Sequence, residues 1–297
     1  MATGNKPLEL GLVLLSRDDI VGNNEHRFIT SDFGFVNSLV SLQSSIFHIG
    51  QPYRVMEGRI VLPLHGKIRI LVNLSEYTLG PEDVMLISPG SIAQILDMTT
   101  DFDVRMVAPA NAFIELTCRN DFFSRYLSGR LNVLLKTTDE ERKVIDNFFS
   151  LIWNLLQNSI YQKEVFQHLI MALFYNIEYI WKRTQTYARS PSRQEELFQR
   201  FIALVNEYSK QERTVGFYAD KLCLTPRYLN TVIKQTSHQT VMDWINQSVI
   251  LEAKVMLKHS DLLVYQISDN LNFPNPSFFC KFFKRMTGLT PQEYKKK

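Results

Sequence analysis

The feature that most constrains this chain is a repeat in its last hundred residues. Near the C-terminus it reads NPSFFCKFFKRMTG, Asn275 to Gly288. Phe278, Phe279, Phe282 and Phe283 share this run with Lys281, Lys284 and Arg285 and with no acidic residue. Fifty residues earlier, Thr225-Pro226-Arg227-Tyr228-Leu229 follows the same grammar. A residue able to cap a helix precedes a proline suited to the first helical position. At that offset Leu229 matches Phe279, Ile233 matches Phe283, Lys234 matches Lys284, Thr240 matches Thr290 and Trp244 matches Tyr294. Upstream, at offset 49, Ala219 matches Ser268, Leu222 matches Leu271 and Leu224 matches Phe273. The slip of one falls where a turn absorbs it.

Each copy reads as helix, short turn, helix. In the first, Thr214 or Val215 opens a helix through Leu222, Cys223-Leu224 form the turn, and a second helix runs from Pro226 to about Gln235. The small residues Ala219 and Ser268 allow two helix backbones to cross closely. That is the helix-turn-helix arrangement, whose second helix can enter a DNA major groove. On a helix starting at Pro276, Phe279, Phe282 and Phe283 form an inward stripe with Phe278 at its edge, while Ser277, Lys281, Lys284 and Arg285 project outward. One such helix is an ordinary amphipathic surface helix; two with matched caps at a fixed offset are not. Between the copies, Thr240 to His259 reads as one long helix with Val241, Trp244, Ile245, Ile250, Ala253, Met256 and Leu257 inward. Two recognition helices entering successive grooves on one face of DNA must lie about 34 Å apart.

The chain has 297 residues, enough for two domains, with 45% hydrophobic and 21% charged residues, the composition of a globular protein. Residues 195–297 hold 14 Lys and Arg against 10 Asp and Glu, whereas the remainder holds 19 against 20. The last third is therefore the basic part, which favours an anionic partner there. Cys118, Cys223 and Cys280 lie far apart without CxxC spacing, so no disulfide framework or metal cluster is expected and a reducing cytoplasm fits. The apolar run Leu8–Leu15 contains Glu9 and lacks the basic leader and cleavage site of a signal peptide. Val165 to Trp181 is broken by Gln167, His168, Asn176 and Glu178, so it is amphipathic and no membrane partner is expected.

From about Phe28 to Ala108, short apolar or alternating runs such as GRIVLPLHG, KIRILVNL and FDVRMVAP are punctuated by Gly66, Gly80-Pro81 and Pro89-Gly90, which predicts a small antiparallel sandwich or barrel. From Asn120 to Arg183 the period becomes helical. Asp139, Glu140 and Glu141 supply a cap and dipole partners for a helix carrying Val144, Ile145, Phe148, Phe149, Ile152, Leu155 and Leu156. A second helix carries Val165, Phe166, Leu169, Ile170, Leu173, Phe174, Ile177 and Trp181. This antiparallel pair either covers the sheet or docks on a second copy of the chain. Residues 182–194, KRTQTYARSPSRQ, read as an exposed linker.

Residues Ile267 to Tyr294 resemble the bipartite signature of AraC/XylS-type transcription regulators: ISDNLNF, then SFFCKFFKRMTGLTPQEY. The resemblance covers about the last hundred residues. Asn272 and His238 stand where the family has glycine, and Val249 where its connector helix commonly has arginine. The strand-rich segment resembles more weakly the cupin-like sensor domain that often precedes this module, through PED (Pro81–Asp83) and ISPG (Ile87–Gly90). The implied class is α+β: an N-terminal antiparallel cupin-like barrel with a helical pair, and a C-terminal all-α domain of two helix-turn-helix units joined by a long helix. The implied division is sensor 1–119, helical dimerisation region 120–183, linker 184–194 and DNA-binding domain 195–297.

The resemblance implies double-stranded DNA as partner, a homodimer, a small-molecule or protein effector, and RNA polymerase among the candidate partners. Carried over position by position, it makes Arg227, Asn230 and Thr231 base readers in the first unit, and Pro276, Ser277 and Lys281 in the second. Lys234, Lys284 and Arg285 are candidates for phosphates. No cofactor is implied. His26, His48 and His65 are scattered and Ala93-Gln94 stand near where a later ligand histidine would fall, so they read as structural or surface residues. No GxSxG elbow, Walker loop or dinucleotide glycine fingerprint is present. A cupin enzyme would need a metal or catalytic constellation within residues 1–110, and a repair protein would need ligands beside Cys280; the sequence supplies neither. The expected function is that of a regulator, not an enzyme.

Overall fold

The computed structural model describes residues 11–12, 26–39, 48–115, 121–127, 132–158, 161–187 and 192–296. Two compact units divide after Ala188. Most of the run Leu8–Leu15, Cys118, residues 188–191 and Lys297 lie outside the described residues.

The N-terminal unit has strands β1 (Arg27–Ile29), β2 (Phe33–Val36), β3 (Pro52–Arg54), β4 (Arg59–His65), β5 (Ile68–Val72), β6 (Ser75–Leu79), β7 (Asp83–Ile87), β8 (Ile92–Met98), β9 (Asp103–Pro109) and β10 (Val133–Lys136). They form two antiparallel sheets, ordered β1-β2-β9-β4-β7-β10 and β3-β8-β5-β6. Along β4 and β7 the side chains alternate between two cores. Ile60, Leu62, Val84 and Leu86 face a helical layer, while Val61, Met85 and Ile87 meet Ile68, Val72 and Leu79 of the smaller sheet. Covering both faces of a strand demands an almost continuous apolar run, which RIVLPLH and DVMLI supply. The turn before β7 is closed by Gly80, whose amide donates to the Asp83 carboxylate at 2.8 Å.

The helical layer comprises α1 (Asn111–Glu115), α2 (Asp121–Leu127), α3 (Asp139–Asn158) and α4 (Lys163–Tyr187). The residue capping α3 is Thr138 rather than Asp139. Its hydroxyl accepts from the Glu141 amide at 3.3 Å, and the Glu141 carboxylate accepts from the Thr138 amide at 2.9 Å. This reciprocal pair needs the three-residue spacing that Asp139 lacks. The stretch read as wholly helical also contains β10, which pairs with β7 from Val133↔Leu86 to Lys136↔Asp83. Four residues are too few to bury a helical face, and the free edge of β7 satisfies their backbone groups.

The helical pair covers the six-stranded sheet. Ile145, Phe149, Ile152 and Leu156 of α3 and Phe166, Ile170, Phe174 and Ile177 of α4 pack into its core. Phe35 of β2 stacks on Trp153 at 5.7 Å, and Arg183 of α4 pairs with Glu141 of α3 at 2.8 Å. Val144, Leu151, Val165, Tyr175 and Tyr179 instead face outward and are exposed. Val144 and Val165 are therefore not part of the inner stripes.

The C-terminal unit holds α5 (Arg193–Tyr208), α6 (Val215–Lys221), α7 (Pro226–Ser237), α8 (Val241–His259), α9 (Val264–Asn270), α10 (Pro276–Thr287) and α11 (Pro291–Lys296). Helix α4 continues to Tyr187 and α5 begins at Arg193, so helix occupies both ends of the stretch read as linker. Ser192 and Glu195 form the capping box that starts α5, and Phe201, Ile202 and Val205 bury its inner face. Helix α8 buries Val249 completely together with Val241, Ile245 and Ala253, while Trp244 and Met256 are half-buried. An arginine at position 249 would have to enter this core.

Candidate nucleic-acid interface

Within the C-terminal unit the repeat is conformational as well as textual. In the first copy the Thr214 hydroxyl accepts from the Phe217 amide at 3.4 Å to begin α6, and the Leu224 amide returns to the Ala219 carbonyl at 2.9 Å to close the turn. Cys223 has φ 56° there. In the second copy the Phe273 amide returns to the Ser268 carbonyl at 3.0 Å, and Asn272 has φ 52°. Asparagine at this departure from glycine therefore adopts the left-handed backbone its side chain tolerates. Ala219 and Ser268 are both fully buried.

The second helices are built alike. Thr225 accepts from the Tyr228 amide at 3.2 Å and Asn275 from the Phe278 amide at 3.1 Å, each one residue before a proline. Both helices end in a left-handed residue, His238 at φ 60° and Gly288 at φ 78°. One residue earlier, Ser237 and Thr287 each donate to the carbonyl four residues back at 2.8 Å. Thr240 and Thr290 then start α8 and α11, each against a carboxylate three residues on, Asp243 or Glu293. The opening helices differ in their caps: α6 has Thr214, whereas α9 has Leu263, which has no capping side chain and whose amide is held by Gln266 at 2.8 Å.

Each second helix buries one face and presents the other. Leu229, Val232 and Ile233 of α7 are buried, as are Phe279 and Phe283 of α10, with Phe282 half-buried against Phe273 at 5.2 Å. Arg227, Thr231 and Lys234 are exposed on α7, and Ser277, Lys281, Lys284 and Arg285 on α10. Asn230 and Pro276 are half-buried at the margins of these faces. The Thr231 hydroxyl donates to the Arg227 carbonyl at 3.0 Å, which leaves its methyl group and oxygen lone pairs for an outside partner. Arg285 leans over the Phe282 ring at 5.7 Å. The structure thus brings the sequence-predicted residues of each unit onto one outward face per helix.

Phe278 departs from expectation. It is not at the edge of the inward stripe but 59% exposed, beside Ser277 and Lys281. Its counterpart fifty residues earlier, Tyr228, is 47% exposed. Tyr228 drew no attention in the sequence, although its equivalence to Phe278 at the repeat offset was there to be read.

The two units are joined by more than α8. Arg213, just before α6, lies 3.7 Å above the centre of the Phe273 ring in the turn of the second copy. Alongside it the Asn272 side-chain amide donates to the Gln211 carbonyl at 2.9 Å. Burial pulls the Arg213 guanidinium down to about 10, which still leaves it charged at neutral pH. Such a cation over an aromatic face is attracted to the ring quadrupole. The tail also contributes: Lys295 donates to the Leu262 carbonyl at 3.0 Å.

Duplicated helix-turn-helix units packed on one connecting helix, each with a polar and cationic outward helix, define a nucleic-acid-binding module. Residues 218–297 match the family model described as "Helix-turn-helix domain", and the chain carries an AraC-type domain at this end. It is 25% identical over 107 residues to the regulatory protein PocR of Salmonella typhimurium strain LT2, covering 36% of this chain and 35% of that one. It is 27% identical over 101 residues to the regulatory protein SoxS of Escherichia coli strain K12, covering 34% of this chain and 94% of that one. The match thus spans about a third of PocR but nearly all of SoxS. Among solved structures, ToxT from Vibrio cholerae O395 aligns over 90% of this chain and 98% of its own, with a TM-score of 0.40 and 14% identity.

Proposed function

We propose that this protein is a sequence-specific DNA-binding transcription regulator whose two recognition helices, α7 and α10, read successive major grooves. The observation that carries this reading is the pair of matched outward faces on equivalent helices. Arg227, Asn230 and Thr231 read bases in the first unit; Pro276 fits against base edges without donating, and Ser277 and Lys281 read them in the second. Lys234, Lys284 and Arg285 hold phosphates and set register. Arginine suits guanine and asparagine suits adenine, since each can form two hydrogen bonds to one base edge in the major groove. Helix α8 and the Arg213–Phe273 contact keep the two faces at one spacing.

The N-terminal unit serves as the cupin-like sensor of an effector or partner, and residues 120–183 as the dimerisation region. The outward residues Val144, Leu151, Val165, Tyr175 and Tyr179 support the latter, because the inner faces of α3 and α4 are already spent on the sheet. An effector changes DNA binding only as far as it binds the competent arrangement more or less tightly than the other. The relatives are named regulatory proteins, which supports a non-enzymatic role; no described helix is long and apolar enough to cross a membrane. RNA polymerase is the natural further partner of a regulator of this kind.

The test is selection of fragmented genomic DNA by the purified full chain at two salt concentrations, read by sequencing. Two half-elements about 10 bp apart per monomer are expected. Recovery of sequence-blind, salt-sensitive binding alone, with and without the N-terminal residues, would overturn the reading.

A further inference from the structure

Tyr228 and Phe278 are large aromatic side chains left in water at the same place in two copies of one unit. Both are the third residue of their helix, both follow a capped proline start, and both have their amides held by the cap. Each is followed immediately by the fully buried residue that anchors its helix, Leu229 or Phe279. At 100° per residue, Phe278 projects on the flank of the arc that Ser277, Lys281 and Arg285 occupy, and Tyr228 does so beside Arg227, Thr231 and Gln235. A single exposed aromatic is common and needs no account. Two at equivalent positions, each set in a face of donors and cations, share a partner that is apolar at one point and anionic around it.

We infer that Tyr228 and Phe278 are specificity-determining residues, each packing its ring on the 5-methyl group of a thymine in the major groove. Thymine is the one base that presents an apolar group there, amid hydrogen-bonding edges and phosphates. The second unit needs such a contact most, because Pro276 and the half-buried Cys280 offer its reading face few strong donors. The inference rests on the DNA-reading function proposed above. It predicts one thymine in each half-element, at equivalent positions.

The test replaces each thymine of the selected site in turn by deoxyuridine, which removes only the methyl group, and measures affinity of the full chain by fluorescence anisotropy. One position in each half-element is expected to lose about fourfold on replacement, the worth of one buried methyl group. Phe278→Ala should abolish that sensitivity in one half-element and Tyr228→Ala in the other, with responses at the remaining base pairs unchanged. Because both side chains are exposed, circular dichroism melting of the variants should match the parent. Uracil replacement with no effect at any thymine, or with the same effect in the variants, overturns the inference while leaving DNA reading intact. Failure to select any site would instead sink the underlying function, and this inference with it.

Discussion

The two helices that face outward end at His238 and Gly288, equivalent residues with the same left-handed backbone and different chemistry. His238 at φ 60°, ψ 9° therefore stores strain that Gly288 does not. The left-handed region costs an L-residue about 1–2 kcal/mol, and glycine gives back about 0.4–1 kcal/mol through its larger unfolded-state entropy. His238→Gly should thus stabilise the C-terminal unit by about 0.5–1 kcal/mol, and Gly288→Ala should destabilise it by about the same. Neither change disturbs the cap itself, because both residues reach back through backbone amides, to Lys234 at 3.0 Å and Lys284 at 2.8 Å. A side-chain carbon at position 288 would meet nothing within 4 Å, so no clash adds to the backbone term. Hydrogen exchange read by mass spectrometry is the suitable assay, since it follows this unit separately from the N-terminal one. Peptides from α7, α8 and α10 should exchange about two- to fivefold more slowly in His238→Gly and faster in Gly288→Ala. If both variants shift in the same direction, backbone strain is not what distinguishes the two ends.

Arg227→Ala and Lys281→Ala should each weaken binding to the selected site by about 1–3 kcal/mol and relax preference at one base pair, whereas Lys284→Ala should weaken specific and random DNA alike and lower the salt slope by about one. Competition titrations at several salt concentrations separate the two behaviours; equal losses of Arg227→Ala on both DNAs would reject its base-reading role. Arg213→Ala removes a ring contact worth about 0.5–2 kcal/mol, so peptides spanning 272–287 should exchange faster and the protein should tolerate a base pair inserted between half-elements better than the parent does. Asp243 is held below its usual 3.8 by the Thr240 hydroxyl and then its amide. A carboxylate with a depressed folded value adds stability that is present above its unfolded value and lost as pH falls through the folded one. Asp243→Asn should accordingly flatten the acid limb of the C-terminal unit's unfolding curve below the ordinary carboxylate value.

The duplicated units were legible because their caps, turns and buried anchors are specified locally, by Thr225-Pro226 and Asn275-Pro276, by Ala219 and Ser268, and by residues of one size class at fixed spacing. What escaped depended on longer-range partners or on adjacent residues of one type. Strand β10 is only VLLK, and nothing in four apolar residues reveals that the edge of β7 waits for them. Helix α5 was hidden by the polar text before it, although Ser192 and Glu195 already stood at capping-box spacing. The helical stripes on α3 and α4 combined two faces, because Val144-Ile145 and Val165-Phe166 are neighbours in sequence but differ in burial. The same ambiguity misplaced Phe278 beside Phe279. Hydrophobicity says that a residue can be buried; only the positions of α8 and α9 say which of two adjacent rings is.

The differences between the two units suit them to different work. The first offers Arg227, Asn230 and Thr231, a cluster able to pair with base edges; the second offers Ser277 and Lys281 flanked by Pro276, Phe278 and Arg285. Hydrogen bonds discriminate between bases more strongly than apolar contacts do, because a wrong base leaves a buried donor without a partner. On the proposed reading the first half-element should therefore be the more stringent. The second should tolerate more substitutions but depend more on phosphate charge, since it carries Lys284 and Arg285 where the first carries Lys234. Such a division needs the second helix to be placed by the first, and Arg213 on Phe273 together with Asn272 on Gln211 supplies a contact that can do so. A module in which the units moved independently would lose this advantage, because the weaker reader would then sample neighbouring registers. The spacing of the half-elements should accordingly be more rigid than the sequence of the second one.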